Sequence, residues 1–140
     1  MRRLLLDTNV VVGALLWCGP PWQVMESAIE KGLELIASPA LLAELEHTLG
    51  YPKFRKRLAL LRTDVATLMS QYQAITESTE PVDVPRVVPG DVDDDQVIAA
   101  AVAARADLIV SGDRHLLSLG GHEDIPIVTV REALERLGAS

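Results

Sequence analysis

A single cysteine, Cys18, stands in the whole chain of 140 residues. No intrachain disulfide and no cysteine-based zinc site can form, which suits a reducing compartment. Aromatic residues are nearly as scarce, at 4%, so the core has to be built from Leu, Val, Ile and Ala. An excess of positive charge is missing too. The net charge of −7 argues against a protein that coats nucleic acid broadly. It leaves room for an enzyme that meets nucleic acid through a local patch and a metal, because a cation inverts the field of the acids that hold it. No apolar run is long enough to span a bilayer. The N-terminus imitates a signal peptide, with Arg2 and Arg3 ahead of apolar residues 4–6 and 10–16. Asp7, Thr8 and Asn9 interrupt that run, whereas a signal core is unbroken. The expected location is the cytoplasm, with no membrane contact.

What is present fits one globular domain over residues 1–140. Hydrophobic residues make up 49% and charged residues 24%, enough to bury a core at this length. Five short apolar runs read as strands, at residues 4–6, 35–37, 82–84, 108–110 and 127–129. Helical patterns lie between them, and such alternation implies a parallel sheet covered on both faces, an α/β fold. Ser38-Pro39 starts a helix that Gly50 closes, and residues 22–31 form another, closed by Gly32. Residues 62–76 place Val65, Leu68, Met69, Tyr72 and Ile75 at helical spacing. The alanine-rich stretch 94–106 reads as a buried helix. Thr129 and Glu132 have the spacing of a capping box for a last helix over 129–138. Residues 77–92, with Pro81, Pro85, Pro89 and Gly90, read as an irregular connection around one short strand.

The chemistry lies in the acids. Asp7 follows the first strand, and Asp113 follows the fourth in Val110-Ser111-Gly112-Asp113. Asp91, Asp93, Asp94 and Asp95 precede the alanine-rich helix, and Glu44 lies within the helix after Ser38. In open α/β sheets ligands bind beyond the carboxyl ends of the strands, where the strand order reverses. With strand order 3-2-1-4-5, which alternation alone does not give, Asp7 and Asp113 would face each other there. Two close carboxylates repel unless a cation joins them, and oxygen-rich, sulfur-free ligation suits Mg²⁺ or Mn²⁺. Taken singly, Asp7 and Asp113 are equally served as helix N-caps, and the acidic run as a complement to a helix dipole. Glu44 and Glu46 flank the apolar face of Leu41, Leu42, Leu45 and Leu49, and periodicity does not choose between them. His47, His115 and His122 lack metal-binding spacing, and His115 reads as surface.

Together these segments resemble the PIN-domain family, especially its bacterial toxin–antitoxin (VapC-like) branch, over nearly the whole chain. Leu5-Leu6-Asp7-Thr8-Asn9-Val10 is similar to the family's first acidic signature. Ser38-Pro39-Ala40-Leu41-Leu42-Ala43-Glu44-Leu45 is similar to the helix bearing the second acid, which selects Glu44. In Asp91-Val92-Asp93-Asp94-Asp95-Gln96-Val97-Ile98-Ala99-Ala100 the third acid best matches Asp95, with Asp94 beside it as the alternative. The segment from Ala106 to Leu117 is similar to the strand ending in the fourth acid, Asp113. Tyr51-Pro52-Lys53-Phe54 fits a segment common in one subgroup, in which Val92 is commonly proline.

The resemblance implies a three-layer α/β/α fold with a five-stranded parallel sheet ordered 3-2-1-4-5. It implies a ribonuclease that hydrolyses phosphodiester bonds with Mg²⁺ or Mn²⁺ at Asp7, Glu44, Asp95 and Asp113, Glu44 ligating through water or orienting the nucleophile. A homodimer and a small antitoxin partner come with it. Asn9 and Ser111 are candidate donors to those carboxylates, with turn or cap bonding as their plainer role. Lys53, Arg55, Lys56, Arg57 and Arg62 form the one dense basic segment, suited to RNA phosphates, to an antitoxin, or to a solvated face. Two other classes compete. A phosphatase with an aspartyl nucleophile would want a second aspartate where Asn9 stands, and a non-catalytic binding module would not need all four acids.

Overall fold

The computed structural model describes residues 1–79 and 92–138, with residues 92–94 described as helical backbone. The apolar runs form strands where expected: β1 (Arg3–Leu6), β2 (Glu34–Ala37), β4 (Leu108–Val110) and β6 (Ile125–Val128). Two further strands are β3 (Thr76–Ser78) and β5 (Gly121–His122). The sheet order is β3-β2-β1-β4-β6-β5. All pairings are parallel except the β5–β6 hairpin at the edge. The expected order 3-2-1-4-5 therefore holds, with a two-residue antiparallel strand added outside β6. The strand expected at residues 82–84 lies outside the described residues. The place of the expected third strand is taken by β3, which starts at the last residue of the helix expected over 62–76 and runs into the connection expected from residue 77.

Side chains on successive strand residues point to opposite faces of a sheet. Leu4, Leu6, Leu35, Leu108, Val110 and Val128 enter one core, while Leu5, Ile36, Ile109 and Ile127 enter the other. The first core is covered by α1 (Thr8–Trp17), α2 (Gly19–Glu30), α5 (Val65–Ala74) and α8 (Val130–Leu137). The second is covered by α6 (Val92–Ala104) and α7 (Arg114–Leu119). Helix α3 (Pro39–Leu49) serves both, with Leu41 in the second core and Leu45 and Leu49 in the first. No helix among the described residues is long and apolar enough to cross a membrane.

Caps set the helix ends. Ser38 Oγ accepts from Leu41 N–H at 3.2 Å to start α3, and Thr129 Oγ1 accepts from Glu132 N–H at 3.1 Å to start α8. The helix expected over 62–76 is shorter, because Arg62 adopts a positive φ of 55° and Asp64 caps α5 through Thr67 N–H at 2.7 Å. That bond holds the Asp64 carboxyl below its ordinary value. The basic segment before it folds as a 3-10 turn (Pro52–Phe54) and the short helix α4 (Arg55–Leu60).

Candidate metal centre

Asp7 and Ser111 occupy equivalent places at the carboxyl ends of neighbouring strands. Leu6 of β1 is in register with Val110 of β4, and Asp7 N–H donates to Val110 C=O at 2.9 Å. The next residues outward are polar, in contrast to the apolar strands they end. Asp7 is only 6% exposed and Ser111 is fully buried. Ser111 Oγ donates to Asp7 Oδ2 at 2.8 Å and accepts from Asp113 N–H at 2.9 Å. A single hydroxyl thus ties both strand-end aspartates together, using its donor and an acceptor lone pair at once.

Both aspartates also cap helices. Asp7 Oδ1 accepts from Thr8 N–H at 2.8 Å at the start of α1. Asp113 Oδ1 accepts from His115 N–H at 2.7 Å and from Leu116 N–H at 3.4 Å at the start of α7. The capping role that the sequence offered both aspartates is filled. Among the described residues Asp113 Oδ2 carries none of these bonds.

The other acids stand on flanking helices. Glu44 is half-buried on α3, whereas Glu46 is exposed, which favours Glu44 as the one facing inward. Asp95 is half-buried near the start of α6, and α6 packs against α3, β1 and β2. Asp91 lies outside the described residues, and so do the side chains of Asp93 and Asp94. Asn9 is exposed in the first turn of α1. Among the described residues no three His, Cys, Asp or Glu side chains close into a cluster that would hold a metal ion. The donor set is nonetheless all oxygen, which fits a hard divalent cation. Thr8, buried beside Asp7, is a residue the sequence reading passed over. Its place directly after the strand-end aspartate, as the first residue of α1, is the signal that marks it.

The basic segment is not at this end of the sheet. Helices α1 and α3 both begin at the carboxyl ends of their strands and run back along the sheet. The segment follows α3 and packs on the last turn of α1, where Arg57 Nε donates to Leu16 C=O at 2.6 Å and its guanidinium lies over the Trp17 ring at 5.6 Å. Leu16 C=O is one of the carbonyls a helix end leaves unpaired, and a cation there complements the helix dipole. Arg57 therefore has a structural task, while Lys53, Arg55 and Lys56 are exposed.

The family model described as PIN domain matches residues 3–115. Among solved structures the chain is similar to VapBC2 from Rickettsia felis, solved bound to a DNA fragment from their promoter. Identity is 14% and the TM-score 0.61, over 91% of this chain and 98% of that one. It is also similar to PAE2754 from Pyrobaculum aerophilum, at 17% identity and a TM-score of 0.57, over 99% of this chain and 91% of that one. No curated protein matches by sequence.

Proposed function

This chain belongs to the PIN-domain family, and from that premise we propose that it is a Mg²⁺- or Mn²⁺-dependent endoribonuclease, the toxin of a toxin–antitoxin pair. PIN domains are generally nucleases. The observation that carries the reading is the buried Asp7–Ser111–Asp113 bridge at the carboxyl ends of two adjacent parallel strands, where α/β sheets bind ligands. The proposed ligands are Asp7, Asp95 and Asp113, with Glu44 ligating through water or orienting the nucleophile. When bound, the cation supplies an acidified water near neutral pH and offsets charge on the attacked phosphate. The chain's own groups do the positioning. Ser111 and Thr8 N–H hold Asp7 in one orientation. The α7 cap fixes Asp113 by one oxygen and leaves the other for a ligand.

The test compares cleavage of single-stranded RNA in Mn²⁺ and in chelator. Cleavage that needs the metal and disappears in Asp95→Asn, but not in Asp93→Asn, supports the reading. Metal-independent cleavage overturns it, a dead Asp93→Asn moves the third ligand, and no cleavage at all leaves a non-catalytic module.

We assign a small antitoxin as the protein partner and a second copy of the chain as its dimer mate. An apolar groove of about 240 Å³ between α1, α2 and α5, lined by Leu15, Trp22, Met25, Ile29 and Ile75 with Tyr72 at its base, offers the antitoxin a seat. Burial raises the Tyr72 phenol well above its ordinary value. Co-purification with the product of a short adjacent gene, abolished by Ile29→Glu, tests this assignment.

A further inference from the structure

Three of the chain's five Trp, Tyr and Phe residues gather at one place, although Trp17 is far from the others in sequence. Trp17 meets Phe54 edge-on, with centroids 5.6 Å apart. Tyr51 lies parallel to Phe54 at 6.4 Å, and His47 stands edge-on to Tyr51 at 5.3 Å. Phe54 is buried beneath, while Trp17 is 52% exposed and Tyr51 37%. Lys53 Nζ sits 5.1 Å from the Phe54 centroid and 5.9 Å from that of Tyr51. Arg55 and Lys56 are exposed beside them. No acid occurs anywhere from His47 to Thr63, so this is a locally cationic surface on an acidic protein.

We propose that this surface is a binding platform for single-stranded RNA. The inference rests on the ribonuclease reading and adds a second point of contact to it. Exposed rings interleaved with cations suit a single strand for two separate reasons. Bases stack on aromatic faces whatever their identity, and the cations track the phosphates. The platform lies at the far end of α1 from Asp7. A helix rises 1.5 Å per residue, so the two points are about 15 Å apart along it. A strand of several nucleotides can engage both at once, and the protein selects unpaired RNA by length as well as by chemistry at the cut. Polyglutamate, an acidic chain without rings of its own, would satisfy the cations but gain no stacking on the aromatic faces.

The experiment measures binding of a fluorescent oligouridine to the full chain in chelator, so that cleavage plays no part, across a series of salt concentrations. Tyr51→Ser removes an exposed ring without touching the Trp17–Phe54 contact, and it is expected to weaken binding roughly tenfold. Arg55→Ser with Lys56→Ser is expected to reduce the slope of log affinity against log salt by about 1.4, from two phosphate contacts on a single strand. Polyglutamate at equal charge concentration is expected to displace the RNA poorly. Unchanged affinity in Tyr51→Ser, an unchanged salt slope, or displacement by polyglutamate as effective as by RNA each overturns the platform. Metal-dependent cleavage persisting alongside any of those results leaves the ribonuclease reading standing. Loss of cleavage alone, with platform binding intact, strikes that reading instead.

Discussion

Two aspartates join the same pair of strands at opposite ends. At the amino end, Asp107 Oδ2 accepts from Arg2 N–H at 2.7 Å and from Arg3 N–H at 2.9 Å, stitching the entry of β4 to the entry of β1. At the carboxyl end, Asp7 is bridged to Asp113 by the Ser111 hydroxyl. Asp107 is exposed, whereas Asp7 is buried. Its two bonds come from backbone amides at an exposed strand entry, where water can replace either partner, so the bonds of Asp107 serve the fold. A buried carboxylate costs free energy unless its charge is answered. Keeping one at a strand end, oriented by a dedicated buried hydroxyl, makes sense when the charge itself is needed. Position relative to the strands and the source of the donors therefore distinguish Asp107 from Asp7, the residue we propose as a ligand.

The contrast can be broken most directly by neutralising each end. Asp7→Asn is expected to lower RNA cleavage by more than about 100-fold, beyond the usual cost of losing a residue that merely orients a ligand. Asp107→Asn is expected to cleave like the parent. Equal losses in the two variants, with circular dichroism unchanged, would erase the distinction.

Ser111→Ala probes the bridge without touching a carboxylate. Loss of its hydroxyl is expected to weaken Mn²⁺ binding by about 10- to 100-fold in a titration. It should also reduce stability by about 1–3 kcal/mol, because Asp7 Oδ2 and Asp113 N–H each lose a partner in a buried place. A stability loss with unaltered Mn²⁺ affinity would make Ser111 a packing residue only.

At the other end, Asp107→Ala is expected to cost about 1 kcal/mol or less in urea unfolding, since exposed interactions are screened by solvent. The smallest effect is in its pH dependence. The two amide bonds hold the Asp107 carboxyl below its ordinary value. Its contribution is thus present in full above about pH 4 and drains away as the pH falls through the folded value. The stability gap between the parent and Asp107→Asn should narrow across that acid window and stay constant from pH 5 to 8. A gap that widens on acidification would reverse the assignment.

Most of the sheet was legible because its central strands are short apolar runs bounded by turn residues, as at Leu108-Ile109-Val110. The strand order was not, since alternation of strands and helices is compatible with several orders; it came with the family resemblance. Strand β3 escaped notice because Thr76-Glu77-Ser78 is a polar edge strand, with its middle and last residues exposed, and no apolar run announces it. The break before α5 was hidden because Arg62 carries a positive φ with no glycine or proline to signal it, although the apolar period itself begins at Val65, the true start of the helix. Asp7 and Asp113 were readable as strand-end acids, yet the hydroxyl linking them was visible only as the spacing Ser111-Gly112-Asp113. The cations of the platform were readable as a basic segment, but its rings were not, because Trp17 reaches Phe54 only once α1 and α3 lie side by side.

The bond between Ser111 and Asp7 spans 104 residues of chain, and this sets a clock on biosynthesis. β1 emerges from the ribosome first, and β4, its neighbour in the sheet, and the hydroxyl that orients Asp7 emerge more than a hundred residues later. At about 5–20 residues per second, several seconds pass in which the first aspartate is exposed with neither its strand partner nor its bridge. The arrangement around Asp7 cannot assemble in that interval, and it waits on the fourth strand of the sheet rather than on the residues that follow it in the chain.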